Sequence, residues 1–206
     1  SWTPLPSWRW TSNYYSLMDI KVFDNFLEED VFQEIESYIK KIKYWEVSYR
    51  LNPSADREEQ FQFLHTIIEE GNVLYPEELP FVRSILKPLY REGSRANVHR
   101  VRINMFIRIS DDPVEMGYHE DWTVEDNPGI YSLLLYNEDS DGATQFKDGE
   151  KILSKRNRAI LFDGMKTHQT VQQTSCLFRY NININFSDDG TQRLVEFPKL
   201  HKRESP

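Results

Sequence analysis

Four residues in the C-terminal half of the chain have the types and spacing to do chemistry together. The segment Gly117-Tyr118-His119-Glu120-Asp121-Trp122 sets a histidine and an aspartate two positions apart. On a strand, residues i and i+2 point to the same side. An imidazole and a carboxylate can therefore reach one metal ion from one strand end. His168 follows 47 positions after Asp121 and completes a two-histidine, one-carboxylate face. Such a face leaves three coordination positions open, which iron(II) needs to take a bidentate keto acid and then dioxygen. The same donors suit zinc, so the ligand set alone does not fix the metal. His-x-Asp is also common by chance, and a lone histidine is more often a surface or satisfied core residue than a ligand. The context adds weight, because Arg179 comes 11 positions after His168, within the alternating run 178-FRYNININF-186. A guanidinium is a planar fork for a carboxylate. A buried one needs such a partner, whereas an exposed strand arginine does not.

These residues need a scaffold of strands, and the sequence supplies one. The chain has 206 residues, 39% hydrophobic and 14% aromatic, which suits a single well-buried domain. Alternating or short apolar runs at 98–109, 130–136, 143–146, 151–153, 159–162, 167–173 and 177–186 predict strands. Turn signals such as Asn127-Pro128-Gly129, Asp141-Gly142 and Asp163-Gly164 separate them. Upstream, 18–23 and 45–51 also read as strands. Val31, Phe32, Ile35, Tyr38, Ile39 and Ile42 predict an amphipathic helix over 28–43, with acidic residues first and lysines last. A second helix is expected over 79–91, with Pro88 arguing for a kink or an early end. Helices followed by about eight short strands imply a mainly β fold of two sheets backed by helices. The expected division is an aromatic arm over 1–17, a single domain over 18–198 and a flexible tail over 199–206.

Charge and cysteine content narrow the function classes. The net charge of −8 disfavours a protein built to grip phosphate backbones. Of two local basic clusters, that at Lys151, Lys155, Arg156 and Arg158 reads as solvated turn charges. The other comprises Arg95, Arg100, Arg102 and Arg108. The single cysteine, Cys176, rules out an internal disulfide and suits a reducing, cytoplasmic setting. It is expected to be a small buried hydrophobe. No apolar run approaches the roughly 18 residues of a membrane span, and the first ten residues lack the pattern of a secretory signal.

The order strand, His119-x-Asp121, His168, Arg179 resembles that of the iron(II)/2-oxoglutarate-dependent oxygenases, in particular small stand-alone members similar to prolyl 4-hydroxylases. The stretch 130-IYSLLLYNEDSDGATQFKDGEKI-152 and the strand 157-NRAILF-162 extend the resemblance, which covers 96–187 well. The helix after 23-FDNFL-27 is similar to the one that opens the catalytic domain of the prolyl hydroxylases. The resemblance implies a distorted double-stranded β-helix, a cupin-like jelly roll. It implies that His119, Asp121 and His168 bind Fe(II) and that Arg179 pairs with the C5 carboxylate of 2-oxoglutarate. Thr170 and Asn104 fall on strands that line the co-substrate pocket, and Asn181 shares the Arg179 face. Many relatives carry a tyrosine near position 106, where this chain has Phe106, so Tyr131 becomes a candidate for the second carboxylate donor. Trp122 and Arg102 are assigned to the substrate side, and residues 52–75 to a mobile lid.

The implied reaction hydroxylates a C–H bond and releases succinate and CO2 from 2-oxoglutarate and O2, with ascorbate in support. Asp121 favours hydroxylation over halogenation, because related halogenases carry a small residue there. A peptidyl or free amino acid is the leading substrate, with proline first. Arg179 departs from the lysine usual in collagen-type enzymes. Nucleic-acid dealkylation is the alternative enzyme reading, but its second downstream arginine is replaced by Asn185. A non-catalytic jelly-roll binding or virion module is the third reading, which an intact triad argues against. A monomer or homodimer is expected, with no membrane or nucleic-acid partner.

Overall fold

Strands dominate the computed structural model, which describes residues 19–49, 61–90, 96–122 and 129–188. In chain order they are β1 (Lys21–Phe23), α1 (Glu29–Ile39), β2 (Glu46–Tyr49), β3 (Phe61–Glu69), β4 (Asn72–Val73), α2 (Leu79–Leu86), β5 (Ala96–Ile107), β6 (Ile130–Tyr136), β7 (Ala143–Phe146), β8 (Lys151–Leu153), β9 (Arg158–Asp163), β10 (His168–Val171) and β11 (Phe178–Asp188). The larger sheet runs β1-β9-β6-β11-β5-β3-β2, with β4 paired to β3. The smaller runs β10-β7-β8. Pairing within both sheets is antiparallel. This is the jelly-roll architecture expected from the sequence. The expected N-terminal arm and C-terminal tail lie outside the described residues.

Period-two alternation gives the larger sheet two different faces. On the outer face Val101 and Ile103 of β5, Leu133 and Leu135 of β6, and Ile182, Ile184 and Phe186 of β11 meet Phe32, Ile35 and Ile39 of α1 and Val82, Ile85 and Leu86 of α2. Each helix presents one apolar stripe to the sheet. Arg156 fastens the turn before β9 to α1, bonding Glu29 and Glu36 and standing 4.7 Å over the Phe32 ring. Lys155 and Arg158 both bond Asp24, so this basic cluster is largely paired. On the inner face Leu134, Tyr136, Ile160 and Phe162 pack against Phe146 and Ile152 of the smaller sheet. That apolar half of the sandwich holds the sheets together, and the other half is polar.

Three expectations need correction. Residues 61–75 do not form a lid: β3 is a nine-residue strand paired to both β2 and β5. The run Phe61-Gln62-Phe63-Leu64-His65-Thr66-Ile67-Ile68 is rich in aromatic and β-branched residues, as a strand requires. Residues 52–60 of the expected lid lie outside the described residues. Strands β2, β3 and β4 therefore stand between the two helices. Helix α1 stops at Ile39, so Lys40 caps it and Lys41 and Lys43 fall beyond its end. Cys176 is only half-buried, and the adjoining Leu177 and Phe178 are exposed where the chain enters β11. Helix α2 does end before Pro88, which enters a 3-10 turn over Lys87–Leu89.

Candidate active site

The inner face of β5 and β11 carries polar side chains where its outer face is apolar. Arg100, Arg102, Asn104 and Phe106 of β5 stand in register with Asn185, Asn183, Asn181 and Arg179 of β11. Residues 114–122 run along the free edge of β10. Met116 N–H donates to the Thr170 carbonyl at 2.9 Å, and Gln172 N–H to Val114 at 2.8 Å. His119 and His168 then exchange both backbone bonds, at 2.8 and 2.9 Å. The pairing slips by one residue between Glu115↔Val171 and His119↔His168. Gly117 lies within the slip at a φ of 85°, in the left-handed region that favours glycine. The His-x-Asp pair thus sits on an extended segment pinned to β10, and a mutual backbone bridge sets the two histidine rings 4.5 Å apart.

The ligand atoms of His119, Asp121 and His168 all lie within 4.8 Å of one another. Donors sharing one ion through bonds of about 2.0–2.2 Å are at most roughly 4.4 Å apart, so small side-chain movements close the set. His168 Nδ1 lies 2.8 Å from the Lys166 carbonyl, which turns Nε2 toward Asp121. Asp121 Oδ1 accepts from Asn183 Nδ2 at 2.9 Å and from Arg100 Nη2 at 3.1 Å. Asp121 Oδ2 is buried without a hydrogen-bond partner, 4.0 Å from His168 Nε2. Burial pushes the Asp121 carboxyl up, but the charges of His168, Arg100 and His119 outweigh it and hold it at about 2. Burial, and then the His168 charge, lower His119, which favours its neutral, ligating form. An ionised carboxylate oxygen without a hydrogen-bond partner, beside two imidazoles, fits a divalent cation.

Arg179 has no exposed surface. Its Nε donates to Gln173 Oε1 at 3.3 Å, Nη2 reaches the Val171 carbonyl only at 3.5 Å, and Nη1 has no partner. No carboxylate pairs with it among the described residues, and its guanidinium lies 4.7 Å over the Phe106 ring. A buried guanidinium left this way is costly, and an incoming carboxylate would satisfy it. Gly142 makes its position possible: a Cβ there would lie 2.6 Å from Arg179 Nε. Tyr136 stands on the same inner face and donates to Thr144 Oγ1 at 2.7 Å. Burial raises its phenol to about 12 against the pull of Thr144 and the Arg179 charge.

A cavity of about 400 Å³ adjoins the three candidate ligands, a size typical of small-ligand sites. It is lined by His119, Glu120, Asp121 and His168, by Asn104, Phe106, Leu134, Thr144, Thr170, Asn181 and Asn183, and by Ser48, Gln62, Arg100 and Arg102. Arg179 itself lies just beyond the lining. Of the residues singled out in sequence, Thr170, Asn104, Asn181 and Arg102 all line the cavity. Asn104 Nδ2 donates to Asn181 Oδ1 at 2.6 Å, and Arg102 bonds Glu69 at 2.8 Å. Two residues stand elsewhere. Tyr131 points to the outer face, 5.7 Å from the Phe186 ring, because it is five positions, an odd number, from Tyr136 on β6. Trp122 stacks near His99 at 5.5 Å, away from the cavity lining. The sequence reading missed Tyr136, Thr144 and Gly142, and it did not connect Arg100 to Asp121. The strand period places Tyr136 and Thr144, but the Arg100 contact comes from across the sheet.

The fold is shared with solved structures. A 2OG-Fe(II) oxygenase-family oxidoreductase from Burkholderia pseudomallei superposes with a TM-score of 0.60 at 9% identity, over 82% of this chain and 84% of that one. A non-heme alpha-ketoglutarate-dependent carbocyclase from nogalamycin biosynthesis gives 0.56 at 10%, over 82% and 79%. A prolyl hydroxylase from Trichoplax adhaerens, in complex with a peptide fragment of hypoxia-inducible factor, gives 0.55 at 13%, over 83% and 84%. No protein-family model matches the sequence, and no curated protein matches it significantly.

Proposed function

We propose that this chain is an iron(II)- and 2-oxoglutarate-dependent dioxygenase that hydroxylates a C–H bond and releases succinate and CO2. One observation carries the reading. A buried carboxylate oxygen and a buried guanidinium nitrogen lack partners: Asp121 lines one polar cavity, and the Arg179 guanidinium lies behind Phe106, another residue of its lining. Four residues of β11, about 13 Å of strand, separate Arg179 from Asn183, the residue bonded to Asp121. That arrangement suits a co-substrate with a carboxylate at one end and a chelating group at the other. The shared fold supports the same reading.

His119, Asp121 Oδ2 and His168 would hold the iron. Once bound, that metal supplies the oxidising chemistry, coupling dioxygen to decarboxylation of the keto acid. The protein's residues orient and exclude. Arg179 receives the far carboxylate of 2-oxoglutarate, and the Tyr136 hydroxyl can turn from Thr144 to join it. Thr170 and the Asn104–Asn181 pair line the path between. Ser48, Gln62 and Arg102 bound the open flank, where the second substrate enters. That substrate is a peptidyl or free amino acid with proline first, a reading supported by the peptide-bound prolyl hydroxylase among the structural neighbours. Ascorbate supports turnover by keeping iron reduced.

Mixing the protein with Fe(II), ascorbate and 2-oxoglutarate in air is expected to release succinate. His119→Ala abolishes that release. Arg179→Ala mainly raises the 2-oxoglutarate requirement, and unchanged co-substrate binding in that variant would remove Arg179 from the site.

A further inference from the structure

Asp121 is held from one side only. Both of its hydrogen bonds fall on Oδ1, from Arg100 Nη2 at 3.1 Å and Asn183 Nδ2 at 2.9 Å, and none falls on Oδ2. The Arg100 side chain is itself strapped. Its Nε donates to Asn185 Oδ1 at 2.7 Å, and Asn185 Nδ2 donates to Ser132 Oγ at 2.7 Å. A chain of side-chain bonds therefore runs from β6 through β11 and β5 to one carboxylate oxygen. The strap is mostly buried, with 15% of the Arg100 side chain and 3% of the Asp121 side chain exposed.

We infer that Arg100, helped by Asn183, is a positioning residue that restricts Asp121 to one-oxygen coordination. A carboxylate can hold a metal through one oxygen or both. Oδ1 is engaged by two donors, and Oδ2, which has no hydrogen-bond partner, lies 4.0 Å from His168 Nε2. This keeps three positions on a six-coordinate ion free of protein, two for a chelating keto acid and one more. The inference rests on the metal reading given above. It also runs against simple electrostatics, since a guanidinium beside a metal site repels the cation. Removing the charge alone would tighten metal binding, whereas removing the positioning would loosen it.

Cobalt(II) titration of the metal-free protein, followed by visible absorption, separates the two. Relative to wild type, Arg100→Gln is expected to bind Co(II) about 10- to 100-fold more weakly, the range typical of lost outer-shell partners. Its Co(II) spectrum should also change as Asp121 gains freedom to chelate. Arg100→Lys keeps the charge but loses the fork, and should stay weakened. Asn183→Leu should shift affinity in the same direction by less, and it carries the test if the Arg100 variants fail to fold. Equal or tighter binding with an unchanged spectrum in Arg100→Gln or Asn183→Leu would overturn the inference. Failure of the wild-type protein to bind Co(II) would instead overturn the metal reading beneath it.

Discussion

The two faces of the larger sheet share the same strands and differ in what they leave unfinished. On the outer face, side chains of β5, β6 and β11 meet two helices and form a closed apolar core. On the inner face the alternate residues of β5 and β11 are Arg100, Arg102, Asn104, Arg179, Asn181, Asn183 and Asn185. Several are buried, and Asp121 Oδ2, Asn183 Oδ1 and Arg179 Nη1 have no partner. An unpaired buried polar group costs about 1–3 kcal/mol and a charged one more, so the inner face contributes less to stability than the outer one. One face therefore maximises stability, and the other holds groups whose partners arrive with a ligand.

The comparison can be broken from either side. Ile103→Ala opens a cavity in the outer core and should cost about 2–5 kcal/mol of unfolding free energy, with Co(II) affinity unchanged. A fall in metal affinity at matched folded fraction would mean that the faces are not independent. Arg179→Met should do the reverse. It removes a buried, incompletely bonded charge and should stabilise the ligand-free protein by roughly 1–3 kcal/mol, while 2-oxoglutarate binding drops at least about 100-fold. Loss of stability in this variant would show that Arg179 is already satisfied.

Glu138, beside the co-substrate end, gives a pH test. Burial raises its carboxyl from an ordinary 4.5 to about 7, against the Tyr180 N–H and the Asn137 amide, which lower it. The folded state therefore binds the proton more tightly than the unfolded one. Stability present below pH 4.5 is lost as pH rises toward 7, by an amount on the order of 2–3 kcal/mol. Glu138→Gln should flatten that slope in urea melts between these limits, and an unaltered slope would assign it to another group. The smallest effect is expected from Gly142→Ala, whose new Cβ displaces Arg179. It should weaken 2-oxoglutarate binding about tenfold, roughly 1.4 kcal/mol, in an isothermal titration. Undiminished affinity would place the co-substrate carboxylate away from this guanidinium.

Much of this contrast is legible in the sequence, because strand periodicity encodes it. The run 178-FRYNININF-186 alternates apolar and polar residues, and both of its faces are as they read. His119, Asp121 and His168 stand out by type and spacing, and the structure brings their ligand atoms together. Pairing across strands is harder to read. Arg100 lies 21 residues before Asp121 and reaches it only because β5 lies beside β11. A pattern read along β11 finds Asn185 where a guanidinium is sought, yet Arg100 supplies one from the paired position. Tyr131 has the chemical type for the cavity, but its parity on β6 puts it outside. β3 is hard to read from sequence because its alternation is blurred by a bulge between Thr66 and Ile68, where consecutive isoleucines both enter the core.

The most direct test of the central claim is release of labelled CO2 from 2-oxoglutarate carrying the label at C1. With Fe(II) and air, the wild-type protein should release it above the protein-free rate, and His119→Ala should not. Release at the same rate by both proteins, or by neither, would contradict an iron(II)- and 2-oxoglutarate-dependent oxygenase built on His119, Asp121 and His168.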